Sequence, residues 1–334
     1  MKKIFFLMIV ISGITTGCSA IYEKSNLEQR QEAKQSTPTE TSCVEQKESS
    51  PAEIVVELPA EWTSVEQLAF VGENPCVLAD GTAYLYADGA WKAYAEEERL
   101  TRLYSGDEFC ALTESGNLVT DAEFPEDYAE YPLTSAGVYD NAFRMLDELQ
   151  DREVILVNGN IFNENPVCLL SDGSLLLFHA GKSLPITPPG TVTALSGHFL
   201  LTDAGAVYRI QFNEETEKVR VIAVADGGIT AVSACATALR CAGICEDGTV
   251  EVWSDIDGEL AGDLRNAENV QMGFQYCVAL DQDGQVLFSS YNKEQETDMR
   301  QRLAKQGGRA VMIGCNYQRL AVLYEDRRMV LLDF

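Results

Sequence analysis

CVALDQDGQVLF, residues 277–288, decides how this chain folds. An apolar run, Cys277 to Leu280, meets Asp283-Gly284, and the chain then runs apolar again through Val286, Leu287 and Phe288. Two such runs around Asp-Gly read as a β-hairpin, because a two-residue type I′ turn needs positive φ at both central positions. The pattern returns in CVLADGTAYLY (76–86), CALTESGNLV (110–119), VCLLSDGSLLLF (167–178), FLLTDAGAVYRI (199–210), AGICEDGTVEVW (242–253) and RLAVLYEDRRMVLLDF (319–334). Asp80-Gly81, Asp172-Gly173 and Asp247-Gly248 repeat the turn, Ser115-Gly116 and Ala204-Gly205 are variants, and Asp326-Arg327 has lost the glycine. Seven copies a few tens of residues apart mean a repeat architecture.

The flanks say which one. LLLF (175–178), CVAL (277–280) and LAVL (320–323) are apolar on both faces, as strands sandwiched between neighbouring sheets must be. Blades stacked around a central channel meet that requirement. Cys76, Ala111, Cys168, Gly243 and Ala279 recur at one place before the turn, and such small side chains suit a crowded innermost strand. The chain therefore reads as all-β, a seven-bladed β-propeller over residues 54–334. VILVNGNIF (154–162) contains a further turn signal, Asn158-Gly159, which is either the partner hairpin of a blade already counted or an eighth copy. The last residues, Val330 to Phe334, read as a strand, and Ile54 to Leu58 would pair with that blade to close the ring and remove an open edge.

AGICEDGTVEVW and CVALDQDGQVLF resemble the repeat of the regulator-of-chromosome-condensation family, whose core runs roughly Ala-Leu-x-x-Asp-Gly-x-Val-x-x-Trp-Gly. Ala279, Leu280, Asp283, Gly284 and Val286 match it, as do Asp247, Gly248, Val250 and Trp253. Ser254 stands where the closing glycine is usual, and most copies lack the tryptophan. The resemblance implies a seven-bladed propeller. It does not imply activity toward a small GTPase, because the residues for that find no match here. Quinone-enzyme-like propeller repeats favour Asp-x-x-Thr-Gly before a tryptophan, a pattern this chain lacks.

The formal charge is −27, from 52 Asp and Glu against 25 Lys and Arg. Nucleic acid is excluded as a partner, since phosphate binding depends on Lys and Arg displacing counterions. An acidic surface favours a soluble monomer. MKKIFFLMIVISGITTGC opens the chain with the order of an export signal: basic Lys2 and Lys3, an apolar stretch too short to span a bilayer, then Gly17-Cys18. Gly-Cys here resembles the lipobox of bacterial lipoproteins, in which the cysteine carries lipid chains; Thr15 stands where Leu is usual. Residues 1–17 are the expected signal peptide and Cys18 the lipidation site, placing the protein on the extracytoplasmic face of a membrane. Residues 18–53, rich in Glu, Gln, Ser and Thr, read as a flexible tether.

Chemistry is sparse. His179 and His198 belong to no metal or nucleophile motif, and Cys235, Cys241 and Cys245 fit no zinc spacing. Most remaining cysteines fall in apolar runs and read as buried thiols. Asp255, Asp257 and Glu259, and Asp281 with Asp283, lie beside glycines without completing a calcium loop. No catalytic residue, metal or cofactor is expected. The longest departure from the repeat, 121–149, combines acids with Phe124, Tyr128, Tyr131 and Tyr139. Long loops on a rigid scaffold carry function, and tyrosine is favoured in contacts. These four, with Trp91 and Trp253, are the candidate binding residues for a protein or glycan partner. Two other readings stand beside a binding module: a carbohydrate-active hydrolase or lyase with acids gathered on one propeller face, and an envelope-assembly scaffold lipoprotein.

Overall fold

A computed structural model describes residues 53–94, 98–122, 138–162, 165–179, 182–213, 215–235, 239–254, 260 and 262–334. Cys18, Phe124, Tyr128, Tyr131 and the segment 255–259 lie outside them. The chain enters on β1 (Glu53–Glu57). Blade 1 is β2 (Val65–Val71), β3 (Asn74–Ala79), β4 (Thr82–Ala87) and β5 (Ala90–Tyr94). Blade 2 is β6 (Leu100–Leu103), β7 (Cys110–Thr113) and β8 (Leu118–Thr120), followed by helix α1 (Val138–Glu148). Blade 3 is β9 (Val154–Val157), β10 (Val167–Leu170), β11 (Leu175–His179) and β12 (Lys182–Ile186). Blade 4 is β13 (Val192–Ser196), β14 (Phe199–Thr202), β15 (Val207–Asn213) and β16 (Lys218–Ala225). Blade 5 is β17 (Ile229–Cys235), β18 (Arg240–Cys245) and β19 (Val250–Ser254). Blade 6 is β20 (Ala267–Met272), β21 (Tyr276–Asp281) and β22 (Val286–Ser290), followed by α2 (Lys293–Gln306). Blade 7 is β23 (Ala310–Cys315), β24 (Arg319–Tyr324) and β25 (Arg328–Asp333), with β1 as its fourth strand.

The ring closes as the sequence leads one to expect. β1 pairs antiparallel with β25, from Glu53 opposite Leu332 to Glu57 opposite Arg328. Residues 154–162 give no eighth copy, because β9 is the first strand of blade 3. Asn158-Gly159 is also not a two-residue turn: β9 and β10 are joined by a longer loop held from inside by Asn158. Its Oδ1 accepts the Val167 amide at 2.8 Å.

Seven apolar clusters fill the molecule, one at each seam between neighbouring blades. The second strand of each blade supplies both its seams by alternation: Cys277 and Ala279 face blade 5, while Val278 and Leu280 face blade 7. Inner strands of adjacent blades neighbour one another, which places the first strand of each blade innermost. The recurrent small residues are therefore on the second strand, not on the innermost one. Crowding there comes from the third strand: a Cβ at Gly243 would stand 2.5 Å from Cη2 of Trp253, whose ring lies across the glycine. Blade 2 has three strands among the described residues, and α1 fills the wedge toward blade 3 with buried Ala142, Phe143 and Met145. α2 takes the same role beside blade 6, where the Phe288 carbonyl accepts from Arg300 Nε and Glu296 accepts the Ser290 amide.

The hairpin turns differ from expectation at all but one of the four Asp-Gly sites of the repeat. Among these four second-to-third-strand turns, Asp80-Gly81 alone has both residues at positive φ, 53° and 79°; Asp88-Gly89, between β4 and β5, shares that form at 55° and 78°. At Asp172-Gly173, Asp247-Gly248 and Asp283-Gly284 the glycine alone is left-handed. The turns there span one residue more, as a type I turn with a bulging glycine does. Acidic side chains fix that form: Asp172 Oδ1 accepts the Ser174 amide at 2.8 Å, and Asp247 Oδ1 the Thr249 amide at 2.9 Å.

Candidate functional site

A propeller offers two faces. One carries the Asp-Gly turns and the starts of the innermost strands; the other carries the loops joining each first strand to its second. On the turn face every innermost strand is bulged at its second residue, so that Glu66, Thr101, Ile155, Thr193, Thr230, Glu268 and Val311 have no partner in the ladder. All seven are exposed. A bulge frees a carbonyl of the neighbouring strand, and the three threonines satisfy it: Thr101 donates to Leu112 O, Thr193 to Leu201 O and Thr230 to Ile244 O.

The opposite face is more apolar over blades 5, 6 and 7. Leu239, Phe274 and Tyr317 stand at the tips of three consecutive inner hairpins and are 44%, 43% and 47% exposed. Each tip is tied to its neighbour. The Arg240 guanidinium of blade 5 donates to Phe274 O of blade 6, and the Tyr276 hydroxyl of blade 6 donates to Asn316 O of blade 7. Asn316 Nδ2 donates to Gly72 O of blade 1 at 2.9 Å, and its Oδ1 accepts the Gln318 and Arg319 amides. Beneath them Tyr276 packs on Phe334 with ring centroids 4.2 Å apart and on Phe288 at 5.5 Å. The tips are apolar groups on a braced base, the form of a surface that binds without reorganising.

Of the sequence-based candidates, Trp91, Trp253 and Tyr139 fall among the described residues. Trp91 sits half-buried on blade 1 among Trp62 and Tyr86, at 5.0 and 5.1 Å. Trp253 is half-buried on blade 5. Tyr139 belongs to α1. Leu239, Phe274 and Tyr317 escaped the sequence reading because the Asp-Gly signal marks the second hairpin of each blade; the first, where these residues lie, has no common turn chemistry.

Among the described residues no group of His, Cys, Asp or Glu is placed to hold a metal. His179 lies 4.2 Å from the Phe212 ring, and burial with nearby Arg209 lowers the pKa of His198. The described cysteines are free thiols, most of them buried. Burial pushes Cys76, Cys110, Cys168 and Cys315 up to about 12, which leaves them inert as nucleophiles. Among the described residues no helix is long and apolar enough to cross a membrane.

The fold is that of a seven-bladed β-propeller. Solved structures of similar shape include human WBSCR16, 12% identical over 83% of this chain and 88% of that one, with a TM-score of 0.52. The CRINKLY WD40 ectodomain of the receptor kinase ACR4 from Arabidopsis thaliana is also 12% identical, over 78% of this chain and 92% of that one, with a TM-score of 0.52. Prp20p from Saccharomyces cerevisiae, the yeast RCC1, superposes more loosely, with 12% identity over 81% and 68% and a TM-score of 0.41. At these identities the likeness is one of fold. No family model and no curated protein sequence matches the chain.

Proposed function

We propose that the chain is a lipid-anchored, extracytoplasmic propeller that binds a protein partner through the face carrying Leu239, Phe274 and Tyr317. One observation carries the binding surface: three large apolar side chains, each more than two-fifths exposed, lie on consecutive blades of a chain with net charge −27. Exposed apolar groups that gather on one face mark interaction sites, whereas scattered ones need no explanation. The anchor rests on the order of basic, apolar and Gly-Cys residues through Cys18. Residues 121–149 remain a second candidate contact, through Phe124, Tyr128, Tyr131 and Tyr139.

Two experiments test this. Substituting Leu239→Ser, Phe274→Ser and Tyr317→Ser together removes partners recovered by cross-linking in whole cells, with the melting temperature unchanged. Equal recovery moves the site elsewhere, and shortening 125–140 to a Gly-Ser linker then examines the insertion. Cys18→Ser shifts the protein from the detergent phase to the aqueous phase; a protein that stays in the detergent phase rules out the lipid anchor.

A further inference from the structure

Eight large apolar side chains are exposed among the described residues. Leu239, Phe274 and Tyr317 are the tips, and Ile155 and Val311 belong to the bulged residues of the turn face. The other three lie on outermost strands: Ile54 and Val55 on β1, 39% and 50% exposed, and Ile222 on β16, 38% exposed. β1 and β16 each end a sheet, so each turns a row of backbone groups outward. Leu58 N bonds Arg327 O, and by alternation the outward groups of β1 are those of Glu53, Val55 and Glu57. Ile210 N bonds His198 O, which leaves those of Val219, Val221 and Ala223 outward on β16. Other outermost strands are blunted: α2 bonds along the edge of β22, and Pro185 takes a donor from β12. β16, KVRVIAVA, is the longest strand among the described residues and holds no proline, glycine or acid.

The two edges carry opposite charge. On β1, Val56 packs into the seam with blade 1, so Glu53, Val55 and Glu57 lie on the side of blade 6, where Glu53 accepts from Gln306 Nε2 of α2 at 2.9 Å. On β16, Val219 and Val221 pack toward blade 3, so Lys218, Arg220 and Ile222 lie on the side of blade 5. Lys218 and Arg220 are exposed, and Glu53 and Glu57 are exposed. Charges of one sign on an edge strand keep it from pairing with its like. A basic edge and an acidic edge on one molecule attract each other between copies. Direction matches as well. β1 leads into the Arg327 turn and β16 leads to Ile229 at the start of blade 5, so both run from the tip face to the turn face. Two copies side by side with parallel axes therefore bring β1 and β16 together as parallel strands. The blade-6 side of one strand is then continuous with the blade-5 side of the other. Glu53 and Glu57 share a face with Lys218 and Arg220, Val55 lies beside Ile222, and Ile54 lies beside Val219 and Val221. Turning one copy over would set the acids against the valines instead.

We propose that the chain associates with further copies of itself by adding β1 of one copy to β16 of the next. The contact is heterologous, and its two edges stand on blades 7 and 4, nearly opposite on the ring, so association extends into rows instead of stopping at a pair. Every copy in a row presents Leu239, Phe274 and Tyr317 on the same side. Those three residues take no part in the contact. The net charge of −27 favours a monomer, and the reversed charge of β16 is the local exception.

The test uses the full chain in detergent, with mass read by sedimentation. The mean mass should grow with concentration beyond two copies and fall as salt rises. Lys218→Glu with Arg220→Glu should weaken association about tenfold, and so should Glu53→Lys with Glu57→Lys. A chain carrying all four substitutions should associate again. Cross-linking gives a second reading that changes no charge. Val55→Cys and Ile222→Cys chains, each also carrying Cys43→Ser, should form a disulfide-linked pair when mixed and oxidised, and neither should do so alone. The Leu239, Phe274 and Tyr317 variant should associate as the parent does. A chain that stays monomeric to millimolar concentration overturns the proposal, as do charge variants that fold and associate like the parent. Cross-linking as strong in the unmixed samples overturns it too, because like edges would then be paired, and loss of association in the tip variant would move the contact to the tip face.

Discussion

The seam between blades 4 and 5 and the seam between blades 7 and 1 do the same work with different parts. In the first, the carbonyl of the turn residue Gly205 accepts the amide of Ile229, the first residue of the next blade, at 3.0 Å. Gly81, Gly116, Gly248 and Gly284 bond Leu100, Val154, Ala267 and Ala310 in the same way. A Cβ at Gly205 would stand 2.9 Å from the Gly228 nitrogen, so glycine is required both for its φ of 72° and for this close approach. At the closing seam the turn residue is Arg327, left-handed at φ 68°. Its carbonyl accepts the Leu58 amide at 3.1 Å, and its guanidinium donates to Pro59 O and Trp62 O. The turn glycine is a device for docking the next blade, and it is dispensable where a connecting segment does the docking. Gly173 agrees from the other side: no carbonyl latch forms there among the described residues, and a Cβ would meet nothing within 4 Å.

The largest effect should come from removing the closing strand. Deleting residues 53–57 strips β25 of its partner and takes away buried Val56; the loss of apolar burial and ladder bonds is about 3–5 kcal/mol. For a domain of this size the melting temperature should fall by roughly 10 °C. An unchanged melting temperature would mean that closure contributes nothing to stability. Next comes the contrast between glycines. Gly205→Ala should cost about 2–3 kcal/mol, from backbone strain and collision together, whereas Gly173→Ala should cost only about 1 kcal/mol from φ. Denaturant midpoints with equal slopes measure both, and equal losses would refute the docking role.

Arg327→Gly tests the exception. Left-handed strain of about 1 kcal/mol is relieved, but two charge-assisted hydrogen bonds are lost, for a net loss of about 1–2 kcal/mol. A variant more stable than the parent would show the guanidinium contacts to be idle. The smallest effect concerns Asp80, whose carboxylate accepts from Thr63 and Ser64 in the link between β1 and blade 1. Those hydrogen bonds, from Thr63 first, lower its pKa from 3.8 to about 2. Its folded pKa lies below the unfolded one, so its stabilisation is complete above pH 3.8 and fades as pH falls toward about 2. The difference in melting temperature between the protein and Asp80→Asn should therefore shrink over that window and vanish below it.

The blade count, the all-β class and the pairing of β1 with the last blade were legible because Asp-Gly hairpins and two-faced apolar runs are local patterns. The turn type was not. Whether Asp172 is left-handed or right-handed depends on its own side chain bonding the Ser174 amide, which composition does not reveal. The role of the small residues was misplaced by one strand, because Gly243 answers to Trp253 on the neighbouring strand and not to the axis. The apolar tips were invisible for a different reason: Leu239, Phe274 and Tyr317 are unremarkable alone and become a surface only when three blades align.

The seven bulged residues at the mouth of the channel have a further consequence. All seven belong to neither ladder nor core; Thr101, Thr193 and Thr230 satisfy freed carbonyls, but at Glu66, Ile155, Glu268 and Val311 most side chains fit at little cost to folding. They already differ in charge and polarity around one opening. Relatives of this chain can vary the chemistry of that opening one spoke at a time while the wheel stays the same.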